Sequence, residues 1–557
     1  DKTEVVDEKI LLEGRSLLAD YLGVDLADDH NETELISPLF EGWARMVNDP
    51  DLVMTSWLKT GALAVIEHEI ELAGIFPPSI HPPSNDFTLV TYEEDLNSYS
   101  SMEDSPHGRE ILDQLLKSGY IVECMTIEEA REMLGGEDPI VNKVALITTE
   151  KEGILKHRLI LDCRVSGAND HARKSERIIL PRCWHVVKDA LHLGGKCVDD
   201  ESVILAVCDF SDAFYMIPLH KREQPYFVAF YKGKFYVFIR TVQGSINGPN
   251  VFGRLSALTG RCTQACFDPE ELRLHIYSDD PIAIVRGSPQ RQRHLIAVML
   301  FIWLLMGYSL AVHKGQWGKR ALWIGYDISI DGNLLKVAIK EAFMKDFHRL
   351  TKQLRRRNLV SIKDLRKYTG QANHISGLLY AWRPFLESLW AALAAADKKY
   401  KQPRKSRAPN HFVWTKQVKQ ALDWLLVFLD GEVGTLRREW QFSAYALRVI
   451  DLVMVLDASP WGFGGILIRN GVIVAFFFDK LTVDDVRIHK FKPGDDKGQQ
   501  TWEALCLLIA LRVWAAEWMH RRVSLCIKGD NMGALTMAAD LQGKGSRGLL
   551  ARVQSNR

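Results

Sequence analysis

Residues 203–209 read VILAVCD and residues 274–280 read LHIYSDD. The first is an unbroken apolar run, the mark of a strand covered on both faces, closed by Asp209. A carboxylate has no place inside such a strand unless it stands at the exposed strand end or is paired. The second is apolar until it ends in two adjacent acids, Asp279 and Asp280, at the tip of a hairpin spanning Leu274 to Val285. Neighbouring carboxylates repel, and a divalent cation offsets that cost. Two Mg²⁺ ions about 3.5–4 Å apart, held by such acids, are the machinery of in-line phosphoryl transfer. The plainer alternative is that Asp209 caps a helix starting at Ser211 and that Ser278-Asp279-Asp280 is an ordinary turn.

Around these stretches the chain has an ordinary globular composition. It has 557 residues, 47% of them apolar and 25% charged. That excludes collagen-like, low-complexity and wholly disordered classes. The longest apolar run, Leu295 to Met306, is too short for a membrane span and reads as a buried helix. No secretory signal opens the sequence, and nine scattered cysteines fit a reducing compartment. The expected location is therefore intracellular, cytoplasmic or nuclear, and not secreted. The absence of an initiator Met suggests a fragment or a processed polyprotein piece. Cys262 and Cys266 lack a second pair to complete a zinc site.

Formal neutrality hides an asymmetry. Residues 1–110 hold 24 Asp/Glu against 6 Lys/Arg, whereas residues 340–407 hold 17 Lys/Arg against 5 Asp/Glu. The basic block, with Arg355, Arg356, Arg357, Lys363, Arg366 and Lys367, can follow a phosphate backbone or be a solvated helix face. The acidic front cannot bind phosphates and reads as a separate helical module, ending in a Pro-rich break at Pro77-Pro78 and Pro82-Pro83. Further along, Val144–Thr148 and His157–Asp162 read as strands joined by a charged turn, and Tyr226–Phe238 as a hairpin around Lys232-Gly233. Residues 340–395 read as helical, and Lys398–Asn410 as linker. Val453–Phe477 returns to strands, with Asn470-Gly471 favouring a type I′ turn.

Taken in order, these segments resemble the motifs of retroviral and retrotransposon reverse transcriptases. AVCDFSDAFYMIPLH (206–220) is similar to their Asp-x-x-x-Ala-Phe/Tyr-x-x-Ile-Pro-Leu motif. TVQGSINGPNVF (241–252) resembles the Pro-Gln-Gly element, with Val242 in place of the Pro and Asn247-Gly248 where Gly-Ser is common. IYSDD (276–280) resembles the Tyr-x-Asp-Asp box, followed here by Pro281. MGYSLAVHKGQ (306–316) with LWIGYDI (322–328) resembles the later elements. KHRLILDCR (156–164) resembles a fingers motif, with His157 for the common Trp. YTGQANHISGLLYAWRPFLESLW (368–390) more weakly resembles a helical connection, with Gly370 and Pro384 matching.

The resemblance implies roles. Asp209, Asp279 and Asp280 would hold two Mg²⁺ ions, with the Phe210 carbonyl as a further ligand and Mn²⁺ able to substitute. Phe214 would lie under the nucleotide sugar and select dNTPs over rNTPs. Lys151 and Arg158 would grip the triphosphate. Gln243 and Gly244 would lie beneath the templating pair, and Lys314 would neutralise, or protonate, the departing pyrophosphate.

A second set lies near the C-terminus. VLDASPWGFGGIL (455–467), TWEALCLLIAL (501–511) and IKGDNMGAL (527–535) resemble ribonuclease H elements, so that Asp457, Glu503 and Asp530 would bind two Mg²⁺ ions and activate water. The alternative is one helix cap, one surface Glu and one turn. A fourth acid is not matched before Arg557, which reads as a truncated domain.

The expectation is an α+β multidomain chain: a right-hand polymerase of palm, fingers and thumb followed by an RNase H-like α/β domain. Its boundaries are an acidic, mostly helical extension over 1–100, fingers and palm over 101–335, thumb- or connection-like basic helices over 336–397, linker and connection over 398–447, and the RNase H-like domain over 448–557. It would extend a DNA or RNA primer on an RNA template with dNTPs and degrade the RNA of the RNA–DNA hybrid, away from any membrane. The rivals are an RNA-dependent RNA polymerase and a decayed retroelement protein that binds nucleic acid without catalysis. Host, element type, priming, the role of 1–100 and oligomeric state are not legible.

Overall fold

The computed structural model describes residues 6–28, 33–63, 72–79, 97–151, 154–173, 175–397, 408–446, 452–489, 494–520 and 523–540. Pro82-Pro83, most of the Lys398–Asn410 stretch and the last residues before Arg557 lie outside these. The chain is a mixed helix-and-sheet protein in two compact units, residues 1–181 with 204–318, and residues 182–203 with 319–557. Among the described residues no helix is long and apolar enough to cross a membrane.

The first unit opens with α1 (Glu8–Leu22), α2 (Ser37–Met46) and α3 (Leu52–Thr60). Asp7 caps α1 at its start, and left-handed Gly23 ends it. These helices are not a module apart. Leu39, Phe40, Trp43 and Trp57 share one core with Phe210, Met216, Val251, Leu255, Met299 and Trp303. Next along the chain is α4 (Pro106–Lys117), and two ion pairs fasten the turn that leads into α3 to helix α5 (Gly248–Ala265). Arg254 and Asp51 are both fully buried and paired, with the guanidinium 4.6 Å from the Trp57 ring centroid. Asp51 also accepts the Met54 amide at 3.2 Å, so one carboxylate serves as cap and counter-ion. Arg261 holds Asp49 through bonds of 2.6 and 2.8 Å. Net negative charge at the front of the chain is thus partly answered by arginines of α5.

Among the described residues of this unit, nine strands form two sheets. β1 (Ile121–Cys124), β2 (Val141–Lys151), β3 (Ile154–Asp162), β5 (Val228–Tyr231) and β6 (Lys234–Phe238) lie in the order β1-β6-β5-β2-β3. Lys232 and Gly233 both have positive φ, the type I′ hairpin geometry. β4 (Ser202–Val207), β7 (Leu272–Tyr277), β8 (Asp280–Gly287) and β9 (Gln316–Gly318) lie in the order β7-β8-β4-β9. The apolar run before Asp209 is therefore an interior strand with a neighbour on each side. The long apolar helix α6 (Pro289–Leu305) packs on this sheet's side of the core through Leu295, Ile296, Met299 and Trp303.

In the second unit, β10 (Arg320–Trp323), β11 (Tyr326–Asp331), β12 (Leu334–Ile339) and β13 (Arg437–Gln441) form one antiparallel sheet. The basic stretch is helical as expected, in three pieces, α7 (Glu341–Arg356), α8 (Ile362–Ser376) and α9 (Arg383–Asp397), followed by α10 (Lys419–Leu429). Pro384 stands in the first turn of α9, where its missing N–H costs nothing. The last sheet has β14 (Leu452–Ser459), β15 (Gly462–Arg469), β16 (Val472–Lys480) and β17 (Leu525–Lys528) in the order β16-β15-β14-β17. Asn470 and Gly471 turn β15 into β16 with positive φ at both. β14 and β17 are parallel, the other two pairings antiparallel. Helix α11 (Gln499–Val513) covers this sheet through Trp502, Cys506, Leu507 and Ala510, and α12 (Met532–Asp540) follows β17.

Candidate catalytic sites

In the first unit, the segment after β4 runs between two neighbours. On one side, the Cys208 amide donates to the Pro281 carbonyl and the Phe210 amide to the Asp279 carbonyl, each at 3.1 Å. These two antiparallel bonds bracket Asp209 and set it across the ladder from the Asp279–Asp280 step. On the other side, Ser211 donates to the Ser309 carbonyl and Ala311 to the Asp209 carbonyl, each at 2.9 Å. Asp209 does not cap a helix; the short 3₁₀ turn Ala213–Met216 begins after Asp212.

Pro281 costs one ladder bond to β4 and leaves the β7–β8 hairpin intact. Its carbonyl points to Cys208, and in an antiparallel strand N–H and C=O of one residue point the same way. The missing donor therefore faces the β4 side, and the β7–β8 register is kept, with Ile276 opposite Pro281 and Tyr277 opposite Asp280. The tip is pinned from below by Ser256 Oγ, which donates to the Ser278 carbonyl at 2.7 Å. Ser278 has φ of 57°, a left-handed conformation that a non-glycine residue holds only where its surroundings fix it.

The electrostatics follow from this crowding. Burial, with the nearby Asp209 charge adding, raises the Asp279 carboxyl above its ordinary range. Lys314, on the 3₁₀ turn Val312–Lys314, places its ammonium directly on the Asp209 carboxylate. Asp209, Asp279 and Asp280 do not gather three ligand oxygens at one point; among the described residues one group of acids does, and it lies in the second unit. Lys314 is thus the cation at Asp209.

The remaining candidates divide between this strand end and the five-stranded sheet. Phe210 is buried and stacks on Tyr308 with centroids 4.3 Å apart. Phe214 is half-buried and stacks on Phe252 at 5.5 Å, beside Gly248, so the 241–252 segment meets the 206–220 segment through this ring. The Gln243 carbonyl accepts the Leu161 amide at 3.0 Å. Gly244 has φ of 124°, and a Cβ there would stand 1.9 Å from the Leu161 carbonyl oxygen, so only glycine lets this loop lie on β3. Arg158 is exposed on β3 opposite Ile147. Lys151 ends β2 opposite Ile154, and its side chain is outside the description. At the end of β3, Asp162 accepts from Arg164 and from the Tyr99 hydroxyl, which draws its pKa down to about 2.

In the second unit, Asp457, Glu503 and Asp530 bring one carboxylate oxygen each within 4.8 Å of one another. Three elements do this. Asp457 is near the end of β14 and Asp530 just past the end of β17; because these strands are parallel, both chain ends reach the same sheet edge. Glu503 arrives from α11 and is 5% exposed, while the two aspartates are exposed. Burial and then the charges of Asp530 and Asp457 raise the Glu503 carboxyl, opposed by a 3.0 Å bond from Gln499. Gly464 is the cross-strand partner of Asp457, and Gly462 and Gly465 let β15 approach closely: a Cβ would stand 2.5 Å from the Asp479 carbonyl oxygen and from Leu456 Cδ2 respectively. A hard, all-oxygen donor set with one buried and two exposed acids fits a divalent cation such as Mg²⁺ or Mn²⁺.

Gln499 was not singled out from sequence. Its amide donates to Glu503 and to the Ala458 carbonyl, tying the acid to the strand that carries Asp457. The signal was present: Gln499 stands one helical turn before Glu503.

No protein-family model and no curated protein matches the chain. Solved structures do. A foamy viral protease-reverse transcriptase in complex with dsDNA is 16% identical over 96% of this chain and 92% of that one, with a TM-score of 0.42. A second, the foamy viral protease-reverse transcriptase dRH in complex with ds DNA, is 16% identical over 93% of this chain and 80% of that one, again at 0.42. A third, with an RNA/DNA hybrid, is 14% identical over all of this chain and 63% of that one, at 0.41.

Proposed function

We propose that the chain is an RNA-directed DNA polymerase that extends a primer with dNTPs, carrying an RNase H-like nuclease centre in its second unit. The observation that carries this reading is the meeting of Asp209 with the Asp279–Asp280 tip on adjacent strands, 70 residues apart in sequence. An acid at the end of an interior strand beside a second acidic tip is a costly arrangement in a fold that needs only stability.

At the polymerase centre, Mg²⁺ would supply a lowered pKa for the attacking hydroxyl and charge neutralisation at the leaving oxygen. Asp209 and Asp279 offer the oxygens for it, with Asp280 beside them. Lys314, already on Asp209, is placed to exchange that carboxylate for an incoming phosphate. The Phe214 ring, fixed by Phe252, presents a flat apolar wall where a sugar 2′-hydroxyl would find no partner. At the nuclease centre, Asp457, Glu503 and Asp530 would hold the cation, and Gln499 keeps Glu503 turned toward the other two. The basic helices α7 and α8 suit a phosphate backbone read by shape and charge. The second unit's acid cluster is what favours a hybrid-degrading polymerase over an RNA-copying RNA polymerase.

The deciding experiment gives the purified chain a primed RNA template, Mg²⁺, and either dNTPs or rNTPs. Extension with dNTPs is expected. Preference for rNTPs would replace this reading by an RNA polymerase, and hybrid binding without extension by a non-catalytic binder.

A further inference from the structure

The acidic N-terminal segment reaches the turn that pairs with Asp209. Three contacts make the link. Arg15 of α1 donates from Nε to the Leu305 carbonyl at 3.0 Å and from Nη2 to the Leu304 carbonyl at 3.1 Å. Those are terminal carbonyls of α6, a helix with no basic residue of its own in the last turn. Next, residues 34–36 lie directly on the turn that follows α6. The Ile36 amide donates to the Met306 carbonyl at 3.1 Å, and Gly307, at φ of 92°, approaches so closely that a Cβ would stand 1.8 Å from the Glu34 carbonyl oxygen. Finally, Glu34 Oε2 accepts from Ser309 Oγ at 2.8 Å.

The 305–311 turn is the inner neighbour of Asp209. The Ser309 carbonyl holds the Ser211 amide, the Ala311 amide holds the Asp209 carbonyl, and Phe210 bridges Leu310. Lys314 follows on the next turn and reaches the Asp209 carboxylate. A shift of this turn would therefore move both the backbone of Asp209 and its cationic partner. On the far side, residue 62 does the same for the end of the segment: the Ala62 amide donates to the Pro218 carbonyl at 2.7 Å and the His220 amide to the Ala62 carbonyl at 2.9 Å.

We propose that residues 8–28 and 33–62 are part of the catalytic unit, and that Arg15 and Glu34 are positioning residues that set Asp209 and Lys314 through the 305–311 turn. The kinetic half of this rests on the polymerase reading; the structural half does not.

The test compares Arg15→Ala, Glu34→Ala and Glu34→Gln in the full chain by two measurements. One is amide hydrogen exchange in peptides covering 208–212 and 309–312. The other is single-nucleotide addition on a primed RNA template, with kcat and KM for dNTP separated. Both alanine variants are expected to speed exchange in these two peptides by about tenfold, the scale of one lost charge-assisted hydrogen bond. They are expected to lower kcat while KM stays within about twofold. Glu34→Gln keeps an acceptor for Ser309 and is expected to restore both. Unchanged exchange in both alanine variants overturns the proposal. So does faster exchange that extends equally to the 452–459 strand, or a kcat loss that Glu34→Gln does not restore. If the unmodified chain adds no nucleotide, the polymerase reading falls, and exchange alone decides whether the clamp exists.

Discussion

The Phe210 amide donates to the Asp279 carbonyl at 3.1 Å, so Asp209, two residues past β4, and the Asp279–Asp280 tip at the start of β8 are held side by side. Asp209→Asn and Asp279→Asn are each expected to reduce nucleotide addition by more than about a hundredfold. Neither should change hybrid cleavage by more than about twofold. Primer-extension and hybrid-cleavage assays on the same preparations measure both.

The acids of the second unit make the mirror prediction. Asp457→Asn removes the charge from one of three carboxylates whose oxygens lie within 4.8 Å of one another. Hybrid cleavage is expected to fall by more than about a hundredfold while primer extension persists. Loss of extension in this variant would contradict two separate centres.

Phe214→Val replaces the flat ring on Phe252 with a smaller side chain. Discrimination against rNTPs is expected to fall by about 10–100-fold, read from kcat/KM for a dNTP and the matching rNTP. Unchanged sugar selectivity would remove Phe214 from the nucleotide site.

Gly244→Ala places a Cβ on the Leu161 carbonyl oxygen at a backbone angle that L-residues avoid. The expected cost is roughly 3 kcal/mol or more, measured by urea unfolding. A change under about 1 kcal/mol would mean that the 241–248 loop does not rest on β3.

Asp162 supplies a pH-dependent contribution. Its bonds with Arg164 and Tyr99 lower its pKa from 3.8 to about 2 in the folded chain. A depressed carboxylate pKa stabilises the fold above the unfolded value and stops doing so as pH falls through the folded one. The stability gap between the unmodified chain and Asp162→Asn is expected to be full at pH 5 and to close between about pH 4 and pH 2. Unfolding curves across that range check it; a gap independent of pH would discount the ion pair.

The parts of the fold that were legible in sequence are those with local signatures. The apolar run before Asp209, the Lys232-Gly233 and Asn470-Gly471 turns, and the acids at strand ends each betray themselves within ten residues. Pro281 raises a doubt about the tip because sequence does not tell which way a strand's carbonyls face; with its carbonyl on Cys208, the missing donor is lost to β4 and not to the β7–β8 hairpin. The N-terminal helices were read as a module apart because their partners are remote. Nothing near Asp51 announces Arg254, and nothing near Glu34 announces Ser309, 275 positions away. Charge asymmetry was visible, but not that arginines of α5 answer it.

The buried Asp51–Arg254 pair also bears on how the chain is made. Its partners are 203 residues apart. At roughly 5–20 residues per second of ribosomal synthesis, α3 waits on the order of 10–40 s for the arginine that completes its surroundings. During that interval the indoles of Trp43 and Trp57 have no finished core to enter, and the nascent front end is a natural client for a holding chaperone. Expression of N-terminal pieces ending before residue 254 should accordingly give aggregates, while the same helices behave once α5 has been translated.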